Sequence, residues 1–162
     1  MRILGLDPST TAVGWCFGFD NQDFPACSGV YKPKRCSADD RLILIYDFLQ
    51  GLMGRLMPDT VAVEEPAGDH RNRRTDRLLA NVTGLVLAAA LEVEISDFIR
   101  VYPAHVKATK CSKENLVYAA ALCRKPEVGP DEADAAGVWL AAVAKIRKRE
   151  LSQRSEDISK GS

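Results

Sequence analysis

An α/β domain, in which helices flank a mixed five-stranded sheet whose first three strands run antiparallel, is the fold class that this sequence predicts. Three observations predict it. Strand-like runs crowd the chain before residue 32 with only short turns between them, later strand-like runs alternate with helical periodicity, and one apolar run, Thr60-Val61-Ala62-Val63-Glu64, has the composition of a strand covered on both faces.

The elements follow in order. Arg2 to Asp7 reads as a strand ending at an acid, and Pro8-Ser9-Thr10-Thr11 as the turn after it. Val13 to Phe19 supplies aromatic strand material, and Ala26 to Tyr31 a third strand after the turn at Asp20 to Pro25. Between Asp39 and Met57 the positions Leu42, Ile45, Tyr46, Leu49, Leu52 and Leu56 recur at helical spacing, with Ser37 as an N-cap. Thr60 to Glu64 is the second strand to end in an acid. An arginine-rich polar stretch at 67–77 leads into a helix rich in small residues from Leu78 to Leu91, and Phe98 to Tyr102 is a strand stopped by Pro103. Helices are expected over 112–123 and 131–149, with a frayed polar tail from Ser152, giving a domain at 1–150 and a tail at 151–162.

Composition bounds the function. The chain has 162 residues, 46% hydrophobic and 27% charged, as a globular domain has, and 22 basic residues balance 22 acidic ones, so any affinity for nucleic acid must come from local clustering. The five cysteines, Cys16, Cys27, Cys36, Cys111 and Cys123, form no Cys-x-x-Cys pair, and with two histidines there is no zinc spacing; reduced thiols in a cytoplasmic setting are the expectation. The apolar run at 85–91 is far too short to span a bilayer, and no signal for export is evident. Trp15 and Trp139 are expected in the core rather than as stacking platforms.

Four acids carry the chemistry. Asp7 and Glu64 end two strands expected to be neighbours, and Asp131 and Asp134 are three residues apart at the start of a helix, on nearly one face. Each alone is also explained as a turn residue or a favourable helix N-terminus. If all four converge, their repulsion calls for cations between them, and oxygen-only ligands suit Mg²⁺ or Mn²⁺. Two ions about 4 Å apart are the arrangement that serves in-line attack of water on a phosphodiester.

These residues resemble the RuvC-type Holliday-junction resolvases, which have the ribonuclease-H-like fold. The resemblance is carried by Ile3 to Ser9 with Gly14-Trp15, Arg41 to Tyr46, Pro58 to Glu64, Pro103 to Lys107, and Asp131 to Ala136, in that order, and runs to about residue 145. It implies a magnesium-dependent crossover junction endonuclease of DNA recombination and repair, with Asp7, Glu64, Asp131 and Asp134 as metal ligands and Lys107 and Lys113 supporting the phosphate or the transition state. It also implies a homodimer that nicks a four-way junction symmetrically, leaving 5′-phosphate ends, in the cytoplasm of a bacterial or phage-infected cell. Pro66-Ala67-Gly68 stand where cellular members carry an aromatic wedge, which is similar to compact phage versions with broader branched-DNA substrates.

Basic residues fall in two groups. Arg71, Arg73, Arg74 and Arg77 could grip phosphates or form a solvated loop, and Lys107, Lys110 and Lys113 make a second DNA-binding patch. The small-residue helix at 78–91 could pack within the fold or across a two-fold axis. Rival functions are a nuclease for flaps, three-way junctions or RNA–DNA hybrids, a phosphotransferase of the actin-like or sugar-kinase type suggested by Asp7 to Thr11, and an inactive junction-binding protein.

Overall fold

The structure, a computed structural model, describes residues 1–65 and 73–160 and, among these, the side chains of 1–65 and 80–156. Three strands, β1 (Arg2–Pro8), β2 (Val13–Phe19) and β3 (Cys27–Tyr31), form an antiparallel meander; helix α1 (Ala38–Leu56) and strand β4 (Thr60–Glu64) follow. Helix α2 (Arg73–Glu92), strand β5 (Asp97–Val101), the short helices α3 (Pro103–Ala108) and α4 (Leu116–Leu122), and the long helix α5 (Pro130–Lys160) complete the chain. The five strands lie in the order β3-β2-β1-β4-β5, with β4 parallel to β1 and β5 parallel to β4, so the mixed sheet expected from the sequence is the one observed.

Side-chain alternation divides the core between the two faces of this sheet. Leu4, Leu6, Val61 and Val63 point to one face, where they bury against Ile45, Leu49 and Met53 of α1 and Val82, Val86 and Ala89 of α2. Ile3 and Ala62 point to the other, against Ala135, Val138, Trp139 and Ala142 of α5. Trp139 is fully buried, and Trp15 is partly buried against Gly29, so both tryptophans are packing residues.

Ser37 caps α1 as expected. Its hydroxyl oxygen accepts a hydrogen bond from the Asp40 N–H at 3.1 Å, and Asp39 and Asp40 place negative charge in the first turn, where the helix dipole favours it. The helix ends at Met57 in the left-handed conformation (φ 46°), its N–H donating to the Met53 carbonyl. Ser37→Ala should lower unfolding free energy by about 1 kcal/mol. Urea titration should show this as a shifted midpoint with an unchanged slope, since both partners of that hydroxyl, the Asp40 N–H and the Asp40 carboxylate that accepts from it at 2.7 Å, lie in the same helical turn.

Three helical boundaries differ from the sequence expectation. Residues 103–108 form α3, where Pro103 occupies the first helical position that its fixed φ suits, and the helix expected over 112–123 begins only at Leu116, capped by Asn115. Helix α2 begins at Arg73 rather than Leu78, since no proline or glycine interrupts the chain between Asp69 and Thr83. The same reasoning corrects the tail. Nothing between Val138 and Lys160 is a helix breaker, and α5 runs on through the polar residues after Ser152 instead of fraying there.

Candidate active site

The alternation that fills the core also aims the acids. In the parallel pairing of β1 with β4, Ile3 lies opposite Thr60 and Leu6 opposite Val63, and continuing that register sets Asp7 beside Glu64. Both share the parity of Ile3 and Ala62, so both belong to the face covered by α5. Pro130 starts α5 above the same strand ends, which brings Asp131 and Asp134 into the neighbourhood. One cleft of about 450 Å³ is lined by Asp7, Glu64, Asp131 and Asp134 together with Lys107 and Lys113.

The electrostatics of the cleft are those of an acid cluster. Burial pushes the Asp7 carboxyl up to about 7, and the neighbouring Glu64, Asp134 and Asp131 push it the same way, while Lys113 opposes them. Glu64 is also raised, first by burial and then by Asp134, with Lys113 and Lys107 pulling it back. Asp134, 9% exposed, is held in place: one oxygen accepts the Lys113 backbone N–H at 2.8 Å and the other lies 3.6 Å from the Lys113 ammonium. Lys107 pairs loosely with Glu114 at 3.9 Å, both being largely exposed.

Among the described residues, no three His, Cys, Asp or Glu side chains stand in a ready metal-binding group. The carboxylates line the cleft without closing a coordination shell among themselves. The donor set still fits a hard divalent cation: the acid cluster offers carboxylate oxygens, and the burial and neighbouring acids that push the Asp7 carboxyl up to about 7 are the kind of charge crowding that a bound cation relieves.

Not every expected residue reaches the cleft. Lys110, in the left-handed conformation (φ 61°) just after α3, does not line it. Arg71, with the Pro66-Ala67-Gly68 stretch, lies outside the described residues; Arg73, Arg74 and Arg77 stand on the first turns of α2, and their side chains lie outside the described ones.

No family model matches the chain. It is 29% identical over 161 residues to the crossover junction endodeoxyribonuclease RuvC of Trichlorobacter lovleyi, covering 93% of this chain and 88% of that protein. Over 68 residues it is 37% identical to the RuvC of Chloroflexus aurantiacus, covering 40% and 42% of the two chains. At that higher identity the chain spans only about two fifths of the length of its curated relatives. The fold superposes on Thermus thermophilus RuvC, solved in complex with a Holliday junction substrate, with a TM-score of 0.76 and 24% identity over 90% of this chain and 96% of that one.

The chain is similar to RuvC in sequence and in fold.

In this RuvC-like fold, the cleft depends on residues that carry no charge. Gly14 of β2 pairs with Asp7, and a Cβ there would come within 1.9 Å of the Asp131 carbonyl oxygen, so only glycine lets the start of α5 lie against β2. Gly137 does the same further along, where a Cβ would come within 2.1 Å of the Cys111 carbonyl oxygen. Glu132, in sequence only a favourable acid at a helix N-terminus, has a structural role of its own. Buried at the start of α5, it accepts hydrogen bonds from the Ser28 hydroxyl of β3 (2.6 Å) and the Lys125 ammonium, which also donates to the Ser28 carbonyl (2.8 Å). This cluster pins the helix on the side away from the cleft and fixes the direction in which Asp131 and Asp134 project. An acid next to two catalytic candidates, with a lysine seven residues earlier, was the available signal. Glu65 is a further addition to the cleft, paired with Arg100 at 3.5 Å.

Proposed function

We propose that this protein is a structure-selective endonuclease that hydrolyses phosphodiester bonds in branched DNA, resolving four-way junctions by paired nicks with 5′-phosphate ends. The observation that carries this reading is the cleft itself: four carboxylates from the start, middle and end of the chain, rimmed by Lys107 and Lys113, at the end of a sheet where two parallel strands open. Relatedness to RuvC over most of the chain supports the same substrate class.

Asp7, Glu64, Asp131 and Asp134 are assigned as the ligands of divalent cations, Mg²⁺ or in its place Mn²⁺, two per site. Bound there, the cations supply Lewis acidity toward the phosphate and a lowered pKa for attacking water. The chain's own contribution is positional. Asp134 is held by the Lys113 N–H, so its free directions point into the cleft, and the Lys113 and Lys107 ammonium groups meet the negative charge of an entering phosphate. Asp134, only 9% exposed, carries its charge where solvent screens it less than in bulk water.

A homodimer belongs to this proposal, since a substrate with two-fold symmetry is matched by a protein with the same symmetry. The residues 71, 73, 74 and 77 are proposed as phosphate contacts leading to the cleft, with Lys110 a peripheral one.

The test is incubation with a synthetic four-way junction and Mg²⁺, beside Glu64→Gln. Paired, symmetrically placed nicks are expected from the parent. The variant should bind the junction and cut it roughly a thousandfold more slowly, about 4 kcal/mol of barrier. Ca²⁺ should support binding and suppress cutting. A parent that cuts flaps, three-way junctions or RNA–DNA hybrids as fast as four-way junctions would replace junction resolution by a broader nuclease activity.

A further inference from the structure

Behind the cleft, on the other side of α3, lies a second concavity of about 520 Å³ between the edge strand β5, α3 and α5. Its ionisable lining is wholly basic: Arg100 from β5, His105 from α3, and Lys145 and Lys148 from α5, all four exposed, with no carboxylate among the lining residues. Its floor on α5 is formed by Ala141 and Ala144, which stand on the same helical face as the two lysines, at spacings of three, four and seven residues, and are small enough to leave a groove. A net charge of zero over the whole chain makes this separation of charge informative: positive residues gather here while the neighbouring cleft is acidic.

The two concavities are joined. Arg100 lines the groove and pairs with Glu65, which lines the cleft, and α3 turns His105 toward the groove and Lys107 toward the cleft. A polyanion seated at the acid cluster through cations therefore finds continuous positive charge on leaving it in this direction. The Arg100 side chain is 60% exposed and its contact with Glu65 is 3.5 Å, a pairing loose enough to be exchanged for a phosphate.

We propose that this groove holds the sugar–phosphate backbone of a duplex arm as it leaves the cleft, with Arg100, His105, Lys145 and Lys148 as phosphate contacts. The assignment rests on the branched-DNA reading above, and extends it to where one arm lies. Such contacts are indifferent to sequence and act by counterion release.

Binding of a four-way junction and of a linear duplex, measured against salt concentration in Ca²⁺ so that nothing is cut, tests this. The double variant Lys145→Gln with Lys148→Gln should bind about tenfold more weakly at low salt, and its plot of log affinity against log salt should be shallower by about two, one unit for each phosphate contact removed. Neutralising two exposed lysines on the far edge of the sheet, Lys32→Gln with Lys34→Gln, should leave the slope as it was. An unchanged slope in the groove variant, or an equal change in both double variants, overturns the proposal. So does polyglutamate that binds the parent and not the groove variant while the DNA slope stays fixed, which would give the groove to an acidic protein. Loss of slope in the groove variant of a parent that cuts no branched DNA would instead leave the groove standing and remove the nuclease reading.

Discussion

Asp7→Asn is expected to cut no junction and yet to melt at a higher temperature than the parent when divalent cations are absent. The two effects have one origin. Asp7 sits among Glu64, Asp131 and Asp134 in a partly desolvated cleft, and its carboxyl is pushed up to about 7 from an ordinary 3.8. A carboxyl whose folded pKa is raised favours the fold while protonated. That contribution is fully present below the unfolded value near 3.8, fades as pH rises, and is gone above about 7. At pH 8 the metal-free protein therefore carries a penalty of at most roughly 4 kcal/mol, less to the extent that water and salt screen the cleft. The amide of asparagine keeps the shape and removes the charge.

Calorimetry of both proteins from pH 4 to pH 8 in a chelator checks this. The difference in melting temperature should be near zero at pH 4, grow through neutrality, and reach several degrees at pH 8. Adding Mg²⁺ should raise the parent's melting temperature and close the gap, because cation binding stabilises only the form with its ligands intact. Cleavage by the parent should fall as pH drops below about 7, where protons compete with the cation for Asp7. A variant that melts lower than the parent at pH 8 would mean that the four acids do not repel one another as their placement implies.

Gly14→Ala should be the most damaging single-methyl change near the cleft. The new Cβ would meet the Asp131 carbonyl oxygen at 1.9 Å and the Ala135 side chain at 3.3 Å, and the first of these is helix backbone that cannot rotate away. Either β2 or the start of α5 has to move. Overpacking of this kind destabilises by roughly 1–3 kcal/mol. The displacement falls on the residue that carries an assigned ligand, so cleavage at saturating Mg²⁺ should drop by more than stability alone accounts for. Thermal melts paired with single-turnover cleavage at a temperature where the variant is fully folded separate the two. Gly84→Ala in α2, where a Cβ meets nothing within 4 Å, is the matched control and should be neutral or stabilising. Normal cleavage by folded Gly14→Ala would show that the closeness of α5 to β2 has no part in shaping the cleft.

The parts of the cleft that were legible in the sequence are those written in local pattern. Asp7 and Glu64 end runs whose apolar content forces them into a sheet, and Asp131 and Asp134 follow a Gly-Pro pair that announces a helix. Register did the rest, because neighbouring parallel strands of the same parity must present their terminal acids on one face. What local pattern does not carry depends on partners far apart in sequence. In sequence Glu132 is one more acid at a helix start, although its environment is built by Ser28 and Lys125, and Lys110 is equivalent to Lys107 and Lys113 except that the turn after α3 keeps it from the cleft. Helix α3 leaves no such signal for a different reason: six residues are too few for periodicity, and Pro103 fits the end of a strand as well as the first residue of a helix.

The period-two order of β1 and β4 makes the protein unequally tolerant of insertions and deletions. Removing one residue between Ile3 and Leu6, or between Thr60 and Val63, would turn the terminal acid toward α1 and α2 and bring Leu6 or Val63 round to the face packed by α5, whereas removing two would restore the facing at a shorter reach. Length changes of either kind in the turn at Asp20 to Pro25 leave that parity untouched, so a deletion scan should show an odd–even pattern in the two strands and none in the turn.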